Sequence, residues 1–183
     1  ERVNKSPASF DPVKLMAFQQ RYFDRLSEEQ KVEAVWPYAK GAGFVQDGDD
    51  AGREKVGRIV TAAGDRIQVA GDIVEYEKFF QSAEELEYDE AAFEKRIRKP
   101  DDAPRLLGEL REQLASLEPF DTESLEKQLH AFVEAQNIKI GNVIQALRVA
   151  TTGQAVGFGM FDTLAILGEQ ETLDRIDRAV SRL

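Results

Sequence analysis

The sequence predicts an all-α fold, a helical bundle of about nine to ten helices in two subdomains. Apolar residues recur mainly at helical spacing, and several of these stripes follow residue types that begin helices. Residues 67–69 alternate between apolar and polar side chains, as in a β-strand, but the sequence shows no evident partner strand. With 42% hydrophobic and 32% charged residues, the chain has the composition of a globular protein with a well-solvated surface.

Three helices are predicted in the first part of the chain. Asp11 and Pro12 have the residue types of an N-cap and a first helical position. Ser27 and Gln30 have the spacing of a capping box, in which each side chain satisfies a backbone amide of the other residue. The apolar stripes are Leu15, Phe18, Tyr22 and Leu26, then Val32, Val35 and Trp36, then Val56, Ile59, Val60 and Ala63. The glycines expected to end the second and third helices are Gly41, Gly43 and Gly64.

The rest of the chain continues the helical pattern, with a cap at Asp121 and breaks at Pro100, at the glycine-rich residues 153–159 and at Gly168. A helix is expected from Ile140 to Ala150, and two short helices on either side of Gly168. The other stripes are Ile73, Tyr76, Phe79 and Phe80, then Phe93 and Ile97, then Leu106, Leu107, Leu110, Leu114 and Leu117, then Leu125, Leu129, Phe132 and Val133.

The two subdomains are expected to meet near residues 65–75, which gives residues 1–70 and 71–183. Residues 1–6 lack an initiator Met and do not resemble the start of a fold. We therefore expect the chain to be a piece of a larger protein. The alternative is a complete small domain whose ends have been trimmed.

The net charge of −10 argues at first against a polyanionic partner. Its distribution changes that argument. Residues 1–70 carry 11 basic and 11 acidic side chains, and residues 138–183 carry 5 of each, whereas residues 71–137 carry 8 basic and 18 acidic ones. Both ends of the chain are therefore locally neutral, and either could approach RNA if its basic side chains gather on one face.

Composition also predicts the compartment. Cysteine is absent, which removes disulfides, thiolate chemistry and Cys-based zinc sites and fits a reducing environment. No apolar run approaches the roughly 20 residues that a membrane span needs. The first residues also lack the basic segment followed by an apolar stretch that is typical of a signal peptide. We expect a cytoplasmic protein without a membrane partner.

The sequence offers no catalytic constellation. Its one histidine, His130, lies on an amphipathic helix and is expected to be exposed or half-buried. A single histidine cannot form a multi-His metal site or a convincing acid–base pair. Residues 47–50 lack the remaining ligands of a calcium loop. Residues 153–159 lack the Lys-Ser/Thr ending of a phosphate-binding loop and follow a helix rather than a strand. We therefore predict no catalytic residue, metal or cofactor in this chain.

The most specific pattern lies near the end of the chain. Residues 145–153, 159–161 and 164–168 closely resemble the end of bacterial-type glutamyl-tRNA synthetase, a class I enzyme, with its leucine-arginine pair, its Thr-Gly exit and its final Leu-Gly. Weaker matches are residues 4–6, 10–11, 14–15, 65–67, 79–80 and 139–141, so that the resemblance spans essentially the whole chain.

The resemblance implies a fragment without the catalytic domain. Residues 1–70 would form the helical stem-contact region that follows that domain, and residues 71–183 the all-α anticodon-binding region. The family's ATP-binding histidine motif and lysine-serine loop would lie upstream of residue 1, so this fragment would not aminoacylate tRNA. The parent would be a glutamate–tRNA ligase that uses ATP and Mg²⁺. The expected partner is tRNA(Glu), bound by a monomer.

The resemblance also assigns site residues. Arg148 matches the family arginine that contacts an anticodon base, and Arg66 matches the arginine that recognises the first anticodon base. The loop that holds anticodon bases matches Gly157, Phe158, Gly159 and Met160. Relatives often have a small polar residue and then Pro at the first two of these positions, so stacking rather than hydrogen bonding is expected there. Single-stranded RNA is recognised by this kind of stacking and by hydrogen bonds to base edges, and Phe158 or Phe161 would offer the stacking face, although core packing is favoured for Phe161.

Two alternatives stay open. A helical protein-interaction module would explain the acidic middle without RNA and would expose a large apolar patch. The second alternative is that the chain is the anticodon-binding region of an enzyme that charges both glutamate and glutamine tRNAs.

Overall fold

A computed structural model describes residues 11–183, and its helices confirm the predicted all-α class. Nine α-helices and no strand occur within those residues, and residues 67–69 are irregular rather than extended in a sheet. The residues at 4–6 and 10 that match the synthetase family lie outside the described residues. The helices are α1 Pro12–Phe23, α2 Glu28–Gly41, α3 Asp50–Ala63, α4 Glu90–Phe93, α5 Ala103–Leu114, α6 Thr122–Ala135, α7 Ile140–Thr152, α8 Met160–Leu167 and α9 Glu169–Ser181.

Shorter turns complete the secondary structure. Gly64–Arg66 forms a 3-10 turn after α3, and Ala70–Phe79 contains two 3-10 stretches separated by a kink at Tyr76. A π turn, Glu94–Arg98, continues α4. The described residues divide into two compact units, which separate between Glu75 and Tyr76. The roles predicted for residues 1–70 and 71–183 stay predictions.

The first unit is built on the packing of α2 against α3. The buried residues of the predicted stripes are Val32 and Val35 from α2 with Val56, Ile59, Val60 and Ala63 from α3. Trp36 of the predicted α2 stripe is only partly buried, and Ala39 is buried in addition. The α1 stripe behaves differently, because Leu15, Phe18 and Tyr22 are exposed and only Phe23 is buried. Helical spacing therefore predicted the α1 helix but not the environment of its apolar face.

The second unit has one continuous core. Helices α5, α6, α8 and α9 surround α7, whose Val143, Ala146, Leu147, Val149 and Ala150 are buried. The predicted stripes of α5 and α6 face the same core, as do Leu164 from α8 and Ile176 from α9. Phe161 packs against this core from a partly buried position, as expected. The helix that carries Arg148 therefore packs against each of the other α-helices of the unit.

Helix starts follow the predicted chemistry. Asp11 accepts hydrogen bonds from the amides of Val13 and Lys14, and Asp121 accepts one from the amide of Ser124 at 2.8 Å. The capping box of α2 is complete, because the Gln30 amide donates to Ser27 Oγ at 3.2 Å and the Ser27 amide donates to Gln30 Oε1 at 3.0 Å.

We predict that Ser27→Ala destabilises the first unit by about 1 kcal/mol, because it leaves a backbone amide of α2 without its partner. The only tryptophan of the sequence, Trp36, lies on α2, so urea unfolding followed by its fluorescence reports on this unit. Gln30→Glu is the matched control, since glutamate also completes a capping box and should preserve the midpoint. Equal midpoints for Ser27→Ala and the unsubstituted chain would contradict the role of the cap.

Candidate functional site

The candidate site begins where α7 ends. Gly153 terminates the helix in the left-handed region, with φ 71° and ψ 1°. Its amide donates to the Val149 carbonyl at 2.9 Å, and its carbonyl accepts from the Asp89 amide at 2.8 Å. A Cβ at this position would lie 2.0 Å from the backbone carbonyl oxygen of Glu87. Only glycine is compatible with this conformation and this close contact. Gly153 therefore fixes the direction in which the loop of residues 153–159 leaves α7.

Arg148 lies on α7 one turn before this glycine and is partly buried. Its Nη1 donates to the carbonyl oxygen of Phe158 at 2.6 Å. Within the described residues its guanidinium makes no other hydrogen bond and no ion pair. Burial lowers the pKa of the Arg148 guanidinium from its usual value, because the charged form loses solvent. A guanidinium has five N–H donors, so the other donors of Arg148 make no hydrogen bond within residues 11–183.

The loop backbone lies close to this guanidinium. A Cβ on Gly157 would lie 3.4 Å from Arg148 Nη1, and Gly157 itself is exposed. Gly159 precedes α8, and its carbonyl accepts from the amide and the hydroxyl of Thr163 at 3.0 and 2.8 Å. A Cβ on Gly159 would meet Asp162 Oδ2 at 2.6 Å. The structure thus brings Arg148, Gly157 and Phe158 together around one exposed stretch of backbone.

The stacking role proposed for Phe158 is wrong in this structure. The side chain is only 5% exposed, and its ring stacks with Tyr76 at a centroid distance of 5.1 Å and with Phe79 at 5.3 Å. Met160 is buried as well, at 3% exposure, and faces the core. At both positions the side chain is occupied by packing, so that the loop presents backbone and glycine rather than an aromatic ring.

Several residues of the site were not identified from the sequence. Val156 is 75% exposed between the loop glycines and is an apolar group that a ligand can contact. Tyr76 and Phe79 hold Phe158 in place, and their spacing of three residues was the one local signal that they share a face. A pairing between those aromatics and a distant loop has no signature in local periodicity.

Arg66 belongs to the first unit, on the 3-10 turn Gly64–Arg66, and is exposed. Its assignment to the first anticodon base stays a prediction. His130 is exposed, as expected, with its Nε2 4.0 Å from the Glu126 carboxylate. In the part of the chain that the structure describes, no group of three or more His or acidic side chains is placed to hold a metal, and no helix is long and apolar enough to cross a bilayer.

Comparison with known proteins identifies the family. A family model described as an anticodon binding domain matches residues 30–180, which is most of the chain. The chain belongs to the anticodon-binding domain family. The matched region includes Arg148, the loop of residues 153–159 and Arg66.

Individual relatives and a solved structure are similar to the chain over almost its whole length. The chain is 34% identical over 182 residues to a glutamate–tRNA ligase of Nitratidesulfovibrio vulgaris and 36% identical over 187 residues to that of Roseiflexus castenholzii. These alignments cover 99% and 100% of this chain but 38% and 36% of the relatives. A crystal structure of a glutamate tRNA ligase from Elizabethkingia meningosepticum, in complex with its amino acid, superposes with a TM-score of 0.81 at 27% identity, covering 99% of this chain and 34% of that one. The chain therefore spans little more than a third of the proteins that it matches.

We predict that Gly153→Ala destabilises the second unit by at least about 1–3 kcal/mol, because alanine is strained at this positive φ and its Cβ would strike the Glu87 carbonyl. Thermal unfolding followed by circular dichroism measures the loss. Gly108→Ala is the matched control, since that residue lies inside α5 with nothing within 4 Å of its Cβ. The control should gain up to about 1 kcal/mol from helix propensity. A Gly153→Ala protein as stable as the control would contradict the steric argument.

Proposed function

We propose that this chain is the anticodon-reading part of a glutamate–tRNA ligase and that it binds tRNA(Glu) through Arg148 and the adjoining loop. The observation that carries the proposal is the state of the Arg148 guanidinium. It is partly buried, it is oriented by the Phe158 carbonyl, and it has no carboxylate partner in the described chain. The guanidinium lies beside the exposed glycine Gly157.

The geometry suits an unstacked base. A guanidinium presents a planar fork of donors, which matches the acceptor oxygen and ring nitrogen of cytosine or the two acceptor oxygens of uracil. Gly157 allows the base to approach the backbone without a Cβ in the way. Burial adds to the effect, because a desolvated cation gains more from a new acceptor than a solvated one does. Val156 supplies an exposed apolar contact beside the loop in place of the aromatic stacking first expected of Phe158.

The whole protein is proposed from its relatives. As in the glutamate–tRNA ligases that it resembles, the remaining two thirds would carry the ATP- and Mg²⁺-dependent attachment of glutamate. This chain would act in that reaction by selecting the tRNA, without a catalytic residue of its own. We propose that the protein works as a monomer in the cytoplasm, where its substrate tRNA is found.

One observation favours a contact with protein as a second function. The helix α1 exposes Val13, Leu15, Met16, Phe18 and Tyr22. Leu15, Phe18 and Tyr22 share one face of this helix, as in a protein-interaction module. The site around Arg148 lies in the second unit, so substitutions on the exposed face of α1 leave Arg148 and its loop unchanged.

We predict that Arg148→Ala weakens binding of a tRNA with a glutamate anticodon by about 5- to 150-fold in a gel-shift titration. This range corresponds to about 1–3 kcal/mol, the usual contribution of an arginine that contacts a base edge. Arg105→Ala is the matched control, because it removes the same charge from the exposed face of α5, where Arg105 pairs with Glu109. The control should bind nearly as well as the unsubstituted chain. Equal affinities for the Arg148→Ala and Arg105→Ala proteins would contradict the proposal.

Specificity requires a second measurement. We predict that the full chain binds tRNAs with glutamate anticodons at least about fivefold more tightly than tRNAs with glutamine anticodons, since one unsatisfied base edge costs about 1–3 kcal/mol. Titrations of both sets at one fixed salt concentration make this comparison, because phosphate contacts vary with salt. Equal affinity for both sets would indicate instead the domain of an enzyme that charges both tRNAs.

A further inference from the structure

Arg175 on α9 is the most deeply buried charged residue that the structure describes, with 1% of its surface exposed. Its guanidinium makes four hydrogen bonds. Nε donates to Glu171 Oε1 at 2.6 Å, Nη1 to the Thr151 carbonyl at 2.7 Å, and Nη2 to the carbonyls of Lys78 and Gln81 at 2.9 and 2.5 Å. A buried cation is tolerated only when it is paired and hydrogen-bonded in this way.

Arg175 joins the end of α7, which carries Arg148, to the segment whose Phe79 packs against the loop of the candidate site. Thr151 lies on α7, three residues after Arg148. Lys78 and Gln81 flank Phe79, which stacks with Phe158 at 5.3 Å. The Phe158 carbonyl in turn accepts the hydrogen bond from Arg148 at 2.6 Å. A continuous set of contacts therefore runs from Arg175 through Phe79 and Phe158 to the Arg148 guanidinium.

We infer that Arg175 is a positioning residue for Arg148: it holds the end of α7 and the Phe79 segment at a fixed separation, and this separation sets where Arg148 presents its donors to a base. The inference rests on the proposed function. It assigns to Arg175 no contact with RNA, since the side chain is sealed from solvent. The planar fork of arginine reaches carbonyls on both segments at once, which the single ammonium of lysine cannot do.

Arg178, one turn further along α9, provides a matched comparison. It also donates to backbone carbonyls, those of Ala83 and Leu86, and its guanidinium lies over the Tyr88 ring. Those carbonyls follow the Phe79 segment, and none of the residues that Arg178 contacts stacks with Phe158. Its link to α7 runs through Tyr88, whose hydroxyl donates to the Ala150 carbonyl at 3.3 Å. Arg178→Lys keeps the cation over that ring, so it should reduce stability and affect the Arg148 site much less than Arg175→Lys does.

A double-mutant cycle in the full chain tests the inference. The four proteins are the unsubstituted chain, Arg148→Ala, Arg175→Lys and the combination, and the measurement is affinity for a tRNA with a glutamate anticodon. We expect Arg175→Lys to weaken binding by about fivefold or more and to add no further loss in the Arg148→Ala background. Such non-additivity is what two residues in one network show. Substitution of a residue that acts only on overall stability would change the affinity by the same factor whether position 148 is Arg or Ala.

Two further variants keep the result interpretable. Arg178→Lys should bind tRNA as well as the unsubstituted chain even if its unfolding midpoint falls. If Arg175→Lys does not fold, Phe79→Leu replaces it in the cycle, because it removes the stack on Phe158 without leaving a buried charge unpaired, and the same non-additivity is expected. All affinities are measured at a temperature where circular dichroism shows each protein folded.

The outcomes separate this inference from the proposed function. Arg148→Ala with unchanged affinity would overturn the proposed function and the inference with it. A loss with Arg148→Ala, together with additive effects of Arg175→Lys or of its Phe79→Leu replacement, would overturn the inference alone. Equal losses of affinity from Arg175→Lys and Arg178→Lys would do the same, since Arg178 does not contact the segment that holds Phe158.

Discussion

The packing of α7 into the core of the second unit fixes the direction in which Arg148 leaves the helix. Val143, Leu147 and Ala150 are buried against neighbouring helices, so the helix cannot rotate without losing that contact. Its last turn is secured as well. The Tyr88 hydroxyl donates to the Ala150 carbonyl at 3.3 Å, and Gly153 closes the helix against backbone from Glu87 to Asp89. A side chain on such a helix is pre-organised, which reduces the ordering cost of binding.

The second unit uses two arginines in opposite ways. Arg175 is fully buried, and four hydrogen bonds engage its guanidinium with backbone and with Glu171. Arg148 is partly buried and has one bond, to a carbonyl. A carboxylate beside Arg148 would satisfy its charge and compete with any ligand, whereas a single carbonyl orients the fork and leaves its other donors open. An arginine side chain thus has a structural role where its donors are engaged, as in Arg175, and is suited to recognition where most of them are not, as in Arg148.

The sequence predicted what depends on near neighbours. The caps at Asp11, Ser27 and Asp121 form as expected because donor and acceptor lie within three residues of each other. The packing of Phe158 was mispredicted because its ring partners come from a segment far away in the chain, and local periodicity carries no record of such a contact. Arg175 lies in the buried register of α9 with Thr172, Ile176 and Ala179, and a charge in that register was the available signal. Its partners are mostly backbone carbonyls, which every residue has, so no sequence pattern could identify them.

Net charge bears on how such a domain would select RNA. The acidic excess lies in residues 71–137, so the second unit repels phosphate backbones in general rather than attracting them. Exposed charges beyond about 8–10 Å are screened at physiological salt, whereas a partly buried guanidinium is screened much less. A site of this kind gains from a base edge that reaches Arg148 at short range and gains little from a passing duplex. In the proposed function, the acidic surface would therefore lower non-specific binding more than specific binding, which raises the ratio between them and allows a net charge of −10 in a protein that binds RNA.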